Sequence, residues 1–373
     1  MVRLHNDTLA NRGAPLKEMI YAGRHKFEWR EGRDPRIQGD RQAIVRPIAA
    51  TACDFDRRIL SGLTPFKPPF AIGHEAVGEV VEVGGSVKSF KRGDIVVIPW
   101  GIYCGECEMC NAGLSGQCCS YAPNATYGVP IGGHFGGLFS DQVLVPFADA
   151  MLVPVPSGVD PIAAAGVSDN LTDAWINLTK GLIKHPGGRV LIHGGTGALG
   201  VYAVDMAFAA GAESVEYVDE HPVRRALAEK WGAIVHERLP EDYISRFHVV
   251  VSATRDVAQV RATILAARPG GHVSGLAIHT QDIMFPVWDM YLRDLSYSSG
   301  RPSIAPHIPK VLTMLKCGHI HPHEAVSQII PWDDAPQALL DMPPMKPVVF
   351  RSPLYSKPAP FAADYAVYSS HRA

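Results

Sequence analysis

The chain of 373 residues is 47% apolar and 19% charged, with a formal net charge of −2, a balance that suits a globular protein of about two domains rather than one core. Near-neutral charge leaves no basic footprint for nucleic acid and no polybasic patch for a membrane surface, so small molecules are the expected partners. Residues 143–167 are broken by Pro146, Asp149, Pro154, Pro156, Asp160 and Pro161, so they could not span a bilayer. The opening MVRLHNDTLANRGAPLKE has no apolar core of a secretory leader, and a cytoplasmic location is the expectation.

Residues 1–18 and 356–373 read as terminal extensions. From 19 to about 156, short apolar or alternating runs at 43–48, 76–83, 94–99 and 139–145 are separated by Gly, Pro and Asp, the pattern of a β-rich, barrel-like domain. Within it the run AIGHEAVGEV at 71–80 places His74 and Glu75 among Ile72, Ala76 and Val77. Desolvating an imidazole beside a carboxylate is costly without a strong partner such as a metal ion. A lone histidine in such a run is more often a satisfied core residue, so the balance depends on whether further ligands exist.

Cys104, Cys107, Cys110 and Cys118 follow the pattern CxxCxxCx7C. In a reducing compartment this density indicates metal rather than disulfides, and four thiolates suit a closed, structural Zn2+ site pinning a lobe at about 100–120. An iron–sulfur cluster is the alternative. Cys119 and Cys317 read as small hydrophobes without a partner.

After Asp160 the pattern changes. Residues 162–182 read as helix, 189–193 as a short buried strand, then GGTGALG at 194–200 opens a helix, and 213–219 forms a second strand ending in Asp219. GxGxxG between a strand and a helix, with an acid beyond, is the dinucleotide-binding arrangement. Gly195, Gly197 and Gly200 allow the tight turn. The segment Thr196, Ala198 and Leu199 brings pyrophosphate to a helix N-terminus, and Asp219 would accept a ribose hydroxyl. Asp219 followed by Glu220 repels a 2′-phosphate and favours NAD(H) over NADP(H), while Arg224 and Arg225 pull the other way. Alternation of strand-like and helix-like runs continues to about Gly300.

GHEAVGEVVEVG at 73–84, FKRGDIVVIP at 90–99, the four-cysteine lobe, the GxGxxG unit and HIPKVLTML at 307–315 together make the chain similar to the zinc-dependent medium-chain dehydrogenase/reductase superfamily of the alcohol dehydrogenase type. The resemblance implies an α/β protein with a GroES-like β-rich barrel catalytic domain at 19–168 and 302–355, and a Rossmann doubly wound parallel-sheet cofactor domain at 169–301. It implies one catalytic and one structural Zn2+, a nicotinamide cofactor, a small-molecule alcohol or carbonyl substrate, no nucleic acid or membrane partner, and a homodimer or homotetramer. By the same resemblance Cys53, His74 and Asp169 are the catalytic zinc ligands. Glu75 is a nearby carboxylate that can approach the metal, and Asp56 is the acid that holds the second nitrogen of His74. Taken alone, Cys53 is an ordinary buried thiol and Asp169 an ordinary helix N-cap. His319, His321 and His323 read as a solvated loop.

Phe55 departs from the family pattern, which commonly has Ser or Thr there to start a proton relay; the later histidine of that relay corresponds to Arg58. Proton exit is then expected through water, Asp54 or Glu75. Phe55, Trp100 and Trp288, with Met290, suggest an apolar or aromatic pocket. The reading is an alcohol dehydrogenase or carbonyl reductase using NAD(H). The alternatives are 1,4-reduction of activated C=C bonds, a non-enzymatic zinc- and NAD-binding redox sensor, and a crystallin-like structural relative.

Overall fold

The computed structural model describes residues 15–32, 34–356 and 365, so most of both expected extensions lies outside the described residues. The first strand already begins at Lys17, inside the expected extension. Strands Lys17–Gly23, Lys26–Glu31 and Phe70–Ala71 form a small antiparallel sheet. The larger barrel sheet is organised on Ala43–Thr51, which pairs antiparallel with Glu75–Val83, Val143–Val145 and Lys346–Phe350. Pro47 stands in the middle of this strand, where a residue without an N–H would break a regular ladder. The pairing shifts register between Pro47 and Ala49, and a bulge of this kind accommodates it. The late strands Val326–Pro331 and Lys346–Phe350 pair with one another, so the chain returns to the barrel after building the second unit.

That second unit is a six-stranded all-parallel sheet. In chain order its strands are Val190–His193, Val215–Val218, Ile234–His236, Phe247–Ser252, Ala267–Gly275 and Ser296–Ser299, and their spatial order is 3-2-1-4-5-6. The order reverses beside Val190–His193, and ligands of such sheets bind in the crevice at the carboxyl ends of the strands there. Val190, Leu191 and Ile192 are fully buried, as strands covered by helices on both faces require. The main core joins barrel residues Ile48, Val77 and Val97 to Leu171, Ala174 and Leu178 of the helix Asn170–Leu182 and to the sheet. A second core fills the barrel.

The helix expected over 162–182 is three elements. A short helix Pro161–Ala164 and a 3-10 turn Ala165–Ser168 precede Asn170–Leu182, with Asp169 between them at φ −154 and ψ −89. Among the described residues no helix is long and apolar enough to cross a membrane.

Candidate metal centre and cofactor cleft

Cys53 ends the turn after Ala43–Thr51 and caps the helix Asp54–Leu60, its main-chain N–H donating to Asp56 Oδ2 at 2.8 Å. His74 immediately precedes the strand Glu75–Val83. Asp169 occupies the N-cap position of its helix yet makes no side-chain cap bond; its side chain turns to the barrel instead. Cys53 Sγ, a ring nitrogen of His74 and a carboxylate oxygen of Asp169 lie within 4.8 Å of one another. His74 Nε2 is 3.7 Å from Asp169 Oδ2, and tetrahedral bonds of 2.0–2.3 Å would set donors roughly 3.3–3.8 Å apart. One thiolate, one imidazole and one carboxylate therefore fit a zinc ion and leave a fourth position open.

Two atoms beside this set strengthen the fit. His74 Nδ1 and Asp56 Oδ1 are buried without a hydrogen-bond partner and face each other at 3.7 Å. A small rotation of the imidazole would close that gap and fix its tautomer, the arrangement expected of a ligating histidine. Burial disfavours the imidazolium, but Asp56 and Asp169 outweigh it and lift His74 to about 9. Burial and then Asp169 and Glu75 push the Cys53 thiol well up, so a metal bound here would have to displace protons from both thiol and imidazole. Asn170 Nδ2 donates to Cys53 Sγ at 3.2 Å and to Asp169 Oδ2 at 2.9 Å. No motif in the chain marks Asn170 for that positioning role.

Glu75 is placed differently from the expectation. It is fully buried, its Oε2 is held by Lys346 Nζ, and its Oε1 accepts from Asn170 N at 2.9 Å. Lys346 also donates to Ala52 O at 2.9 Å and is 2% exposed. A carboxylate held on both oxygens and away from the cavity wall is not a proton carrier for that cavity; it ties Asn170, and through it the ligands, to the barrel.

Asp54 is also committed. Its two oxygens accept from Ala198 N at 3.1 Å and Leu199 N at 3.0 Å, the free amides at the start of the helix Ala198–Ala209. Arg255 Nη2 lies 3.3 Å from Asp54 O. The glycine-rich turn is shaped for a dinucleotide: Gly195 and Gly197 have φ of +107 and +144, and a Cβ on Gly200 would come within 3.1 Å of Gly194 Cα. Thr196 Oγ1 is buried and unpartnered beside the turn. Asp219 ends its strand as expected, but both oxygens are engaged by Arg224, with Gly195 N, His221 N and Tyr217 Oη as further donors. Its side chain is 0% exposed. A ribose hydroxyl would reach it only if Arg224 moved.

The candidate ligands open onto a cavity of about 670 Å3 that also reaches Thr196, Leu199 and Arg255. Phe55, Phe66, Trp100, Tyr127 and Ile131 wall it, with Phe55 edge-on to Phe66. Asp173, which the sequence reading passed over, lines it too, and burial followed by Asp169 raises its carboxyl to about 8. Trp288 does not line it: that side chain is 68% exposed on the helix Val287–Leu292 and stacks on Tyr291. Met290 packs against a separate cluster on the parallel sheet.

Sγ atoms of Cys104, Cys107, Cys110 and Cys118 lie within 4.8 Å of one another. Main-chain N–H groups of Cys104, Glu106 and Cys107 point at the sulfurs at 3.3–3.4 Å. Four thiols with amides turned toward them suit thiolates on one metal ion, and no position is left for a substrate. Cys119 and Cys317, expected as small hydrophobes, are exposed. His321 binds Asp205, its Nδ1 at 3.1 Å from Oδ1, so that histidine anchors its loop.

Residues 39–157 match the alcohol dehydrogenase GroES-like domain family. A probable zinc-binding alcohol dehydrogenase of Mycobacterium tuberculosis is 28% identical over 309 residues, 81% of this chain and 79% of that protein. The alcohol dehydrogenase TADH from Thermus sp. ATN1 superposes with a TM-score of 0.81 at 27% identity, covering 90% of this chain and 99% of that one. An acetophenone reductase from Geotrichum candidum, solved with NAD, shares the fold at a TM-score of 0.79 and 23% identity, covering 92% and 99%. The GroES-like domain match, the Rossmann-like parallel sheet and these relatives together support the zinc-dependent medium-chain dehydrogenase/reductase superfamily.

Proposed function

We propose that this chain interconverts an alcohol and its aldehyde or ketone with NAD(H), on substrates with an apolar or aromatic body, at a zinc held by Cys53, His74 and Asp169. The supporting observation is the placement of that donor set at one wall of a cavity that also reaches Thr196 and Leu199 beside the glycine-rich turn. Bound there, zinc would polarise the substrate oxygen and the nicotinamide would exchange the hydride. Asp56 would fix the imidazole once the 3.7 Å gap closes, and Asn170 holds Cys53 and Asp169 in register. Lys346 neutralises Glu75 behind them. The rings of Phe55, Phe66 and Trp100 exclude water from the reacting carbon. With no hydroxyl at Phe55 and with Asp54 and Glu75 committed, the alcohol proton leaves to water in the cleft.

The cofactor's pyrophosphate would need the amides of Ala198 and Leu199, so Asp54 must release them when it binds. Preference for NAD(H) rests on Asp219, whose bidentate pair with Arg224 keeps that guanidinium from a 2′-phosphate. A homo-oligomer is part of the same reading: Met284, Val287, Trp288, Tyr291 and Leu292 are exposed beside the open edge strand Ser296–Ser299, a surface that a second copy would cover. The structural metal at 104–118 is read as a second zinc.

NADH formation by zinc-loaded protein with primary, secondary and benzylic alcohols is the test. Turnover of at least one class is expected, and none at all would contradict the reading. Phe55 also leaves 1,4-reduction as a second reading, which would be favoured if NADH and an enal gave only the saturated carbonyl.

A further inference from the structure

We propose that the substrate carries an anionic acceptor, a carboxylate, and that Arg301 with Trp100 receives it. The inference rests on the cavity being the substrate site, as read above. Arg301 follows the strand Ser296–Ser299, Trp100 follows Ile95–Ile98, and both line the cavity that holds Cys53, His74 and Asp169. The guanidinium carbon sits 4.2 Å from the Trp100 ring centroid.

Among the described residues two donors of this stacked pair have no acceptor. Arg301 Nε and Trp100 Nε1 are buried and unpartnered, and neither group can accept a hydrogen bond. Trp100 is 6% exposed. Among the described residues Arg301 makes one hydrogen bond, from Nη2 to Asn124 O at 3.0 Å. Burial lowers the guanidinium to about 10 and Asp169 opposes it, so the charge persists at neutral pH.

Arg351 shows what such a stack looks like when its needs are met. Its guanidinium lies 3.8 Å from the Trp332 centroid, the same arrangement. Arg351, however, has Asp141 Oδ1 at 2.6 Å and the carbonyls of Pro47, Ser140 and Asp141 at 2.8–3.0 Å. Among the described residues Arg301 has no carboxylate in ion-pairing contact. Asp169 is the nearby anion, and it is turned to His74 and Asn170.

A fixed cation with a planar fork, set in a cavity walled in part by Phe55, Phe66 and Tyr127, selects a planar, acceptor-only anion. The aromatic walls select a ring-bearing body. The class that fits is an aromatic or similarly apolar alcohol, or its carbonyl counterpart, bearing a carboxylate away from the carbon that reacts.

The test uses full-length, zinc-loaded protein and four probes: 4-(hydroxymethyl)benzoate, its methyl ester, benzyl alcohol and benzyl phosphate. Binding is measured by calorimetry and turnover by NADH formation, in the wild type, Arg301→Gln and Arg301→Lys. The acid is expected to bind about 10- to 100-fold more tightly than the ester, the range of a charge-assisted hydrogen bond to arginine. Arg301→Gln should remove that advantage, mostly in KM, while the ester and benzyl alcohol change less than about threefold. Arg301→Lys should restore part of it. Equal binding of acid and ester, or equal loss of both in Arg301→Gln, would overturn the proposal. Tighter binding of benzyl phosphate than of the acid would also overturn the carboxylate in favour of phosphate. Arginine-dependent binding of the acid without any oxidation would leave the subsite standing and take down the dehydrogenase reading instead.

Discussion

The four thiols at 104–118 all come from one loop, whereas Cys53, His74 and Asp169 are brought together from the end of a barrel strand, the start of another and a break between helices. The loop cluster is closed by sulfur on every side and stays clear of the cavity that Cys53, His74 and Asp169 line. The other cluster has three donors of three chemical types, faces a cavity of about 670 Å3 and is flanked by the buried polar groups of Asp56 and Asn170. A closed, local set can only hold a fold together; an open set assembled over long range can be tuned and can admit a substrate. The two should therefore separate cleanly into stability and activity.

Cys53→Ser and His74→Ala should break the activity side hardest. Each is expected to lower kcat/KM by about 1,000-fold or more, since a Lewis acid contributes several kcal/mol and 1.36 kcal/mol is tenfold. Melting temperature and the exchange protection of 104–118 should stay close to the wild type. A stability loss as large as the activity loss would blur the distinction.

Lys346→Met probes the support behind the open set. Removing one partner of the buried Glu75–Lys346 pair, whose side chains are 0% and 2% exposed, is expected to cost about 3–5 kcal/mol in urea unfolding. Adding Glu75→Gln should recover much of that cost. If Lys346→Met is neutral alone, the pair does not anchor the site.

Asp219→Ser is expected to lower the NAD(H) over NADP(H) preference by about tenfold or more, because Arg224 would be released to meet a 2′-phosphate. An unchanged ratio of kcat/KM values would count against Asp219. Asp54→Asn gives the smallest expected effect: NADH should bind about 3- to 10-fold more tightly, a neutral amide being the weaker competitor for the Ala198 and Leu199 amides. Weaker binding in fluorescence titration would show that Asp54 assists the cofactor.

What the sequence made legible follows the same division. CxxCxxCx7C and strand–GxGxxG–helix are local patterns, and their chemistry is carried by spacing alone. Cys53 and Asp169 needed the family resemblance, because nothing near either one distinguishes a ligand from a buried thiol or a helix cap. Contacts that set the electrostatics were out of reach: Lys346 meets Glu75 across 271 positions, and Asp54 meets Ala198 across 144. Glu75 accordingly looked free to carry a proton and is instead locked. Trp288 looked like a pocket residue because an aromatic side chain in an apolar run reads the same facing a cavity or facing outward. The helix over 162–182 was drawn through Asp169, where the break exists to turn one carboxylate toward Cys53 and His74.

Zinc content of purified wild type, Asp169→Asn and Cys107→Ser, with the site of loss located by X-ray absorption, tests the central claim most directly. Two equivalents are predicted for the wild type. Asp169→Asn should retain one, in an all-sulfur environment, and Cys107→Ser should perturb that all-sulfur site while keeping mixed nitrogen, oxygen and sulfur ligation. Two full equivalents with unchanged ligation in Asp169→Asn would contradict the assignment of the open site.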